Sequence, residues 1–551
     1  MRRWWVIGGV GVVAAAVAMA AGAYAAVGQQ RERAARLAAI EVAEDFVEAW
    51  QAADWGRIDA LVAEPATGAG ARHAEAVEAL GLSDAAVRLR GVAFDEPVPG
   101  EATASYAASF TVSGLGQWSY EGSFTLLPAE GRWVIDWGPQ TLHPELAEGQ
   151  RLERERHWPA RAPLLDRNGA DLAGGPFAGV AGSVGEATQE QLEALGAPYE
   201  PGDAVGQSGL QRSLERRLAG QPGGAVRVVA GPGEGQPEPV VVAVLHEFPM
   251  IEPDPVRTTL DPGVQEAARA ALAPLASPSA LVAVDVRTGE VRAVANAPLG
   301  GFDRALSGRY PPGSTFKVVT TVALLSHGLD PAATVPCPGT VSVGGRSFRN
   351  AGFAALGPIS FRDAFAESCN TAFVGEAERL PAGMLEATAR QFGFNVDYDI
   401  GVPVADARFP EPVDPVEHAA AAIGQGRVEA TPLHMASVAA AVARGRWVPP
   451  RVLVDEPPDE TLAEPLPPAV IAQLTELMRN AVAAGTGTGA QVPGEPVAGK
   501  TGTAEFGAGA RTHAWFVAFR GDLAVAVLVE GGGFGGAVAA PAAARFYAAV
   551  G

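Results

Sequence analysis

An uncharged apolar run near the beginning of the sequence limits what the chain can fold into. Two arginines precede 24 consecutive uncharged residues, from Trp4 to Val27. As a helix rising about 1.5 Å per residue, this run would span roughly 36 Å, enough to cross a hydrocarbon core of about 30 Å. A cleaved signal peptide is the alternative, since residues 23–25 offer a small-residue cleavage site, but its apolar core usually has only about 7–15 residues. We predict a retained single-pass anchor over residues 1–28, and either interpretation exports the rest of the chain.

The composition of the 551 residues favours globular domains and argues against several kinds of partner. Hydrophobic residues make up 48% and charged residues 19%, so cores are expected in about three domains. The net charge of −21 would repel nucleic acid, so no nucleic-acid partner is predicted. Two cysteines and eight scattered histidines match no zinc-site spacing, and no phosphate-binding glycine loop is present. Neither a metal nor a cofactor is therefore predicted.

The region after the anchor, residues 35–148, has the pattern of a small α+β domain. Apolar residues follow helical spacing from Ala38 to Trp55. Alternating apolar and polar residues then indicate strands over Ala102–Val112, Trp118–Leu127 and residues 133–137. A helix followed by a curved antiparallel sheet predicts a cone-like domain.

Two further domains are predicted, over residues 149–255 and 256–551. Proline- and glycine-rich stretches near residues 231–239 and 249–255 indicate loops or linkers. In the last domain, apolar segments on both sides of Thr288-Gly289 predict a hairpin, and a helix is expected near the C-terminus. A few antiparallel strands with helices between and around them predict an α+β sandwich.

The first chemical motif lies where a helix is predicted to begin. Pro311, Pro312 and Gly313 form a turn before Ser314, and Lys317 follows three residues later. Residues three apart lie on the same helix face, about one turn from each other. An amine at that distance can accept the hydroxyl proton if burial lowers its pKa. The pair is therefore a candidate nucleophile and base, although a lone S-x-x-K is weak evidence.

Two other short motifs occur later in the chain. Ser368-Cys369-Asn370 is an S-x-N triplet, which taken alone would be interpreted as a helix cap. Lys500-Thr501-Gly502-Thr503 precedes two apolar segments, which predicts an edge strand. We interpret Gly502 as the position at which a substrate backbone could approach this strand.

The distribution of lysine links these motifs. Lysine and arginine together number 41, and the only two lysines are Lys317 and Lys500. A solvated surface cation can be either residue, whereas arginine cannot release its proton and a desolvated lysine can. Lysine therefore remains at the two positions where proton transfer is predicted. The three motifs occur along the chain in the order S-x-x-K, S-x-N and K-T-G, and two of them contain the two lysines. A chance occurrence of this combination is too rare to explain it.

S-x-x-K, S-x-N and K-T-G together resemble the penicilloyl-serine transferase superfamily. The stretches Gly424–Gly426 and Gly485–Gly489 also match this superfamily, although His434 stands where it often has glutamine. Residues 161–169 and 206–210 resemble the pedestal, or dimerisation, domain of class B penicillin-binding proteins. The predicted cone-like domain resembles the nuclear-transport-factor-2-like extension of the methicillin-resistance type. The resemblance implies a multidomain α+β protein whose last domain is a penicillin-binding transpeptidase domain.

The resemblance also implies a role for each motif residue. Ser314 would be the nucleophile, Lys317 its general base and Ser368 a proton relay, while Lys500 would complete the proton and charge network. Asn370 would hold the donor amide, and the K-T-G strand would bind the terminal carboxylate through Thr501 and Thr503. The expected reaction is peptidoglycan cross-linking by acyl transfer from D-Ala-D-Ala stem peptides, with β-lactams as covalent inhibitors. A cell-wall glycosyltransferase is a further expected partner, and the catalytic domain would lie on the extracytoplasmic side of the cell membrane.

Three alternative functions remain. A catalytically inactive scaffold of the division or elongation machinery would be expected to lose a motif, and none is lost. A membrane-anchored serine β-lactamase has no use for two extra domains, and a β-lactam sensor needs an intracellular output. The sequence leaves open whether Cys337 and Cys369 form a disulfide or Cys369 simply packs inward as a small apolar residue.

Overall fold

The computed structural model describes residues 5–63, 68–231, 239–299, 301–457, 459–507 and 511–551, with side chains described from residue 15 onward. The chain divides into two compact units. The first comprises Met1–Arg161, Ala187–Asp203 and Ala219–Pro253, and the second comprises Ala162–Glu186, Ala204–Leu218 and Asp254–Gly551. The region predicted as the pedestal therefore contributes to both units.

Helices and strands mostly occur in runs along the chain. The α-helices are α1 (Trp5–Gln51), α2 (Trp55–Leu61), α3 (Ala69–Leu80), α4 (Pro139–Leu142), α5 (Ala178–Ala181), α6 (Gln189–Leu195), α7 (Gly209–Ser213), α8 (Glu215–Ala219), α9 (Pro262–Leu272), α10 (Lys317–Ser326), α11 (Phe361–Ala366), α12 (Asn370–Ala377), α13 (Met384–Gln391), α14 (Pro415–Ala422), α15 (Pro432–Arg444), α16 (Pro468–Ala483) and α17 (Gly535–Val550). The strands are β1 (Leu82–Phe94), β2 (Ala102–Val112), β3 (Gly116–Ala129), β4 (Arg132–Asp136), β5 (Gln150–His157), β6 (Leu164–Leu165), β7 (Val184–Glu186), β8 (Ala204–Gly206), β9 (Gly223–Ala230), β10 (Val240–Phe248), β11 (Val256–Arg257), β12 (Ser279–Asp285), β13 (Val291–Ala297), β14 (Thr334–Cys337), β15 (Thr340–Val343), β16 (Arg346–Arg349), β17 (Gly357–Ser360), β18 (Ala498–Glu505), β19 (Thr512–Arg520) and β20 (Leu523–Val529).

The first unit contains the predicted helix followed by an antiparallel sheet. The sheet has the order β1-β2-β3-β4, and β2 alternates between buried and more exposed residues because one of its faces covers the core. Phe46 and Trp50, in the C-terminal part of α1, lie in this core with Tyr106 and Phe124. A second sheet has the order β10-β9-β5. Residues 232–238, in the predicted linker, lie outside the described residues.

The predicted membrane anchor begins outside the described residues, which start at Trp5. The described part of the anchor belongs to α1, a continuous helix of 47 residues. In the part of the chain that the structure describes, no helix combines the length and apolar character needed to cross a membrane.

The second unit is built around a five-stranded antiparallel sheet with the order β13-β12-β20-β19-β18. One face packs against α9 and α17, and the other packs against α15. Because both faces are covered, every residue of β12 is buried. The predicted hairpin at Thr288-Gly289 and the predicted C-terminal helix are both present, as β12–β13 and α17. Strand β18, which carries the K-T-G motif, lies at one end of the strand order.

Candidate active site

The S-x-x-K motif lies at the start of α10. Gly313–Phe316 form a 3₁₀ turn, and the α-helix itself begins at Lys317 rather than at Ser314 as the sequence suggested. The segment that follows α14 holds this turn in place, since the backbone N–H of Gly313 donates to the carbonyl of Gly424 at 2.9 Å. A Cβ on Gly424 would lie 2.2 Å from the Gly313 oxygen, so the approach requires glycine. The turn leaves Ser314 partly exposed.

Lys317 is fully buried and lies against the S-x-N motif. Its Nζ is 2.8 Å from the Ser368 carbonyl oxygen, 2.7 Å from Asn370 Oδ1 and 3.4 Å from Ser368 Oγ. Burial, reinforced by the nearby charge of Lys500, lowers the pKa of Lys317 well below its usual value. A neutral amine can donate its two hydrogens to the carbonyl and amide oxygens, which leaves its lone pair free to accept a proton from a hydroxyl.

The S-x-N triplet forms the connection between α11 and α12. Ser368 has a φ of +57°, in the left-handed region that residues other than glycine rarely adopt. The amide of Asn370 is fixed at both ends, because its Nδ2 donates to the Arg349 carbonyl at 2.9 Å while its Oδ1 accepts from Lys317. The interpretation of this triplet as a simple helix cap is therefore incomplete, since it also supplies the contacts of the buried lysine.

The second lysine lies in the K-T-G strand, β18. Lys500 is fully buried, and its Nζ donates to the Thr501 carbonyl at 3.1 Å. Burial lowers the pKa of Lys500 to about 7, and the carboxylate of Glu367 opposes part of that decrease. Lys500 can therefore change its charge near neutral pH.

Gly502 has a packing role in addition to the substrate approach predicted for it. A Cβ at this position would lie 2.9 Å from both Thr315 Cγ2 and Trp515 Cβ and 3.0 Å from the Pro312 oxygen. The missing side chain thus allows the 3₁₀ turn of Ser314 to pack directly on β18. Thr503, the next residue along β18, lines the cleft.

The motif residues meet at one cleft of about 850 Å³. Ser314, Ser368, Asn370, Thr501 and Thr503 line this active-site cleft, whereas Lys317 and Lys500 are buried. Thr501 Oγ1 is fixed by a 2.7 Å hydrogen bond with Thr486 Oγ1, which lies in the glycine-rich stretch 485–489.

Several cleft-lining side chains lie outside the predicted motifs. They include the charged residues Arg349 and Glu505 and the exposed aromatic residues Phe353 and Phe534. No short-range pattern marks them, because they come from separate loops and strand ends.

The two cysteines form a disulfide, with their Cα atoms 6.3 Å apart. This bond joins the end of β14 to the central residue of the S-x-N triplet. Asn350 reinforces the same connection, because its Nδ2 donates to the Pro338 carbonyl at 2.9 Å and its Oδ1 accepts from the Thr371 N–H at 3.0 Å. Among the described residues, no group of three or more histidine, cysteine or acidic side chains is arranged to hold a metal ion.

Three family models match the chain in succession. They are the NTF2-like N-terminal transpeptidase domain over residues 38–150, the penicillin-binding protein dimerisation domain over residues 172–238, and the penicillin-binding protein transpeptidase domain over residues 279–548. The chain belongs to the class B penicillin-binding proteins. The last model contains all three catalytic motifs, and the order of the models agrees with the order of resemblances found in the sequence.

Individual relatives agree with this assignment. The peptidoglycan D,D-transpeptidase PbpA of Mycobacterium tuberculosis is 39% identical over 276 residues, which are 43% of this chain and 54% of that protein. The chain thus spans about half the length of this curated relative. The structure of Pseudomonas aeruginosa PBP2 in complex with WCK 5153 is 26% identical, with a TM-score of 0.58, and covers 71% of this chain and 96% of that one. The imipenem acyl-enzyme of penicillin-binding protein A from M. tuberculosis is 31% identical, with a TM-score of 0.50, and covers 54% and 81%.

Proposed function

We propose that this protein is a serine D,D-transpeptidase that cross-links peptidoglycan and that β-lactams acylate. The observation that carries the proposal is Lys317, a buried amine with a lowered pKa that contacts Ser368 and Asn370 beside a cleft lined by Ser314. A relative is named as a peptidoglycan D,D-transpeptidase, and a similar structure is described as an imipenem acyl-enzyme. Both support acyl transfer as the chemistry of this cleft.

The mechanism begins with acylation of Ser314. Its hydroxyl attacks the carbonyl of the penultimate D-alanine, and the hydroxyl proton moves to the neutral amine of Lys317. The backbone N–H groups of Ser314 and Thr503 stabilise the oxyanion. As the tetrahedral intermediate collapses, the terminal D-alanine leaves and takes a proton through Ser368.

The second half-reaction transfers the acyl group to an amine of a second stem peptide. That amine attacks the ester carbon, its proton returns through the same groups, and Ser314 is released as a hydroxyl. Asn370 holds the donor amide in both half-reactions, Thr501 and Thr503 bind the terminal carboxylate until D-alanine leaves, and Lys500 provides positive charge nearby. Gly502 supports this strand through its packing on the 3₁₀ turn.

Covalent labelling tests the proposal. Benzylpenicillin should add its mass to the peptide that contains Ser314, and the Ser314→Ala variant should lose the label. A label on another residue, or undiminished labelling of the variant, would refute the assignment.

The rate of deacylation separates the transpeptidase from the alternative β-lactamase. A transpeptidase must keep water away from its acyl-enzyme, so the penicilloyl form should persist for many minutes. Rapid turnover of a chromogenic cephalosporin would instead support a β-lactamase.

We propose further that the apolar run from Trp4 to Val27 anchors the protein in the cell membrane, with the catalytic unit on the extracytoplasmic side. The length and lack of charge of this run support the proposal. A glycosyltransferase of the cell-wall machinery is proposed as a partner in the same membrane. Protease added outside intact spheroplasts should digest the catalytic unit, and protection from that protease would contradict this orientation.

A further inference from the structure

Glu367 is a charged residue of the active-site cleft that the mechanism above does not use. It lines the cleft directly before the S-x-N triplet, and its side chain is exposed. Arg349 and Glu505, which also line the cleft, pair with each other, since their Nη2 and Oε1 atoms lie 3.3 Å apart. Within the described residues, the Glu367 carboxylate forms no hydrogen bond and no ion pair. Its negative charge is therefore open to a ligand in the cleft.

The local fold does not account for an acid at this position. Glu367 is the C-cap residue of α11, and its backbone N–H donates to the Asp363 carbonyl at 2.8 Å. The carbonyl end of a helix carries partial negative charge, so it favours a cation rather than a carboxylate. The described contacts of the fold thus give no reason for a glutamate here, which directs attention to the cleft.

The residues on both sides of Glu367 are tied to the proposed catalytic groups. The Ala366 carbonyl accepts hydrogen bonds from the backbone N–H and the Oγ1 of Thr486, at 3.0 and 3.1 Å. Thr486 Oγ1 also lies 2.7 Å from Oγ1 of Thr501, which is proposed to bind the terminal carboxylate. On the other side, Ser368 is the proposed proton relay to the departing amine. Glu367 therefore lies in the chain between the contacts for the carboxylate and for the amine of D-alanine.

The proposed chemistry brings the second substrate to the same point. D-Alanine departs with its amine at Ser368, and aminolysis of the acyl-enzyme retraces that step with a different amine. The incoming nitrogen must therefore approach the ester beside Ser368. An aliphatic amine is almost fully protonated at pH 7, so the acceptor enters the cleft as a cation. A carboxylate at this point can bind it.

We propose that Glu367 binds the ammonium group of the acceptor stem peptide and so selects a cationic amine as the second substrate. This inference rests on the proposed function and names a residue that recognises the acceptor in the same cleft. The bound ammonium releases one proton to solvent, and the neutral amine forms a C–N bond with the ester carbon. The C–O bond to Ser314 then breaks, and a second proton passes from the nitrogen through Ser368 to Ser314 Oγ.

Competition between acceptors for one acyl-enzyme tests this role in the full-length protein. The thioester of benzoyl-D-alanine with thioglycolate acylates Ser314, and D-alaninamide or hydroxylamine then captures the acyl group. D-Alaninamide is mostly an ammonium at pH 7 and has no carboxylate, whereas hydroxylamine is mostly uncharged. The ratio of the two products, measured by mass spectrometry at equal acceptor concentrations, gives the preference for the cationic acceptor. Because both products come from the same acyl-enzyme, neither the acylation rate nor the folded fraction alters this ratio.

Removal of the charge should reduce the preference. Glu367→Gln should lower it about three- to tenfold, as expected for loss of one partly exposed charge pair. Glu367→Asp keeps a carboxylate and should stay closer to wild type than to Glu367→Gln. Glu378 provides a matched control, since it is an exposed glutamate at the C-cap of α12 and lines a different pocket. Glu378→Gln should leave the preference unchanged.

D-Alanine as a third acceptor separates direct binding from an effect through Lys500. The charge of Glu367 opposes the decrease in the pKa of Lys500, so Glu367→Gln also reduces the positive charge near the carboxylate of D-alanine. D-Alaninamide lacks that carboxylate. If Glu367→Gln disfavours D-alanine but not D-alaninamide, the glutamate acts only through Lys500 and the inference is refuted.

The remaining outcomes distinguish this inference from the proposed function. If the thioester does not acylate Ser314 in the wild type, the proposed function fails and the role of Glu367 fails with it. If the acyl-enzyme forms but is not transferred to either ammonium acceptor, or Glu367→Gln keeps the wild-type preference, only the role of Glu367 is refuted. An equal decrease in Glu378→Gln, or as large a loss in Glu367→Asp as in Glu367→Gln, would also refute it, because a charge at this site would then not be the cause.

Discussion

Replacing Lys317 by methionine isolates the role of its amine. The side chain is fully buried and its Nζ is held by the Ser368 carbonyl at 2.8 Å and by Asn370 Oδ1 at 2.7 Å. Methionine is unbranched and apolar, so Lys317→Met should fit the same space while removing the base. Loss of a general base slows a proton-transfer step by about 10²- to 10⁴-fold, which corresponds to about 3–5 kcal/mol in activation free energy. Acylation by benzylpenicillin should slow by that factor.

The Lys317→Arg variant separates charge from basicity. Arginine keeps a cation but cannot act as a base, so its acylation rate should fall as far as that of the methionine variant. It must also keep a permanent charge in a site with no exposure, which costs several kcal/mol. Its melting temperature should therefore fall, whereas the melting temperature of Lys317→Met should stay near that of wild type.

The assay combines rate and stability. Acylation is followed by intact mass, melting is followed by circular dichroism, and Thr321→Val, at another fully buried polar residue of α10, controls for general effects of altering this helix. Acylation of Lys317→Met within threefold of the wild-type rate would show that Lys317 is not the base. In that case the scarcity of lysine in the sequence would have no catalytic meaning.

Three other predictions concern the charge, packing and stability of the catalytic unit. Because the pKa of Lys500 is lowered to about 7, its positive charge is lost as the pH rises through 7, and acylation by benzylpenicillin should decline on that side; Lys500→Arg should not show this decline in a pH–rate profile. Gly502→Ala should slow acylation at least tenfold and lower the melting temperature, since its Cβ would lie within 3.0 Å of three atoms. Burial lowers the pKa of His434 to about 3, so unfolded His434 takes up a proton between pH 7 and pH 5 while the folded residue does not. The free energy of unfolding should therefore fall by about 2 kcal/mol between pH 7 and pH 5. In urea titrations, the His434→Gln variant should not show this contribution to the decrease.

Local patterns in the sequence were sufficient to predict several elements of the fold. Strand β2 has the bounds predicted from its alternation, and the hairpin β12–β13 lies where apolar segments flank Thr288-Gly289. Strand β1 was missed, because arginines interrupt its apolar residues and Asp84 adopts a positive φ of 51° near its start. The strand order of the five-stranded sheet could not be predicted from local sequence patterns either, since β12 pairs with β20 through residues far apart in the chain.

The sequence by itself was enough to predict which residues carry the chemistry, because S-x-x-K, S-x-N and K-T-G are short and the chain keeps lysine only at Lys317 and Lys500. Tertiary structure alone decided how these residues meet. The contact of Lys317 with Ser368 joins residues 51 positions apart, and the ion pair of Arg349 with Glu505 joins residues 156 apart. Burial lowers the pKa of both lysines, and burial is a property of the assembled core rather than of any motif. For the same reason, the packing of Gly502 against the 3₁₀ turn and the bridging of the two cysteines follow from contacts between segments that no local pattern specifies.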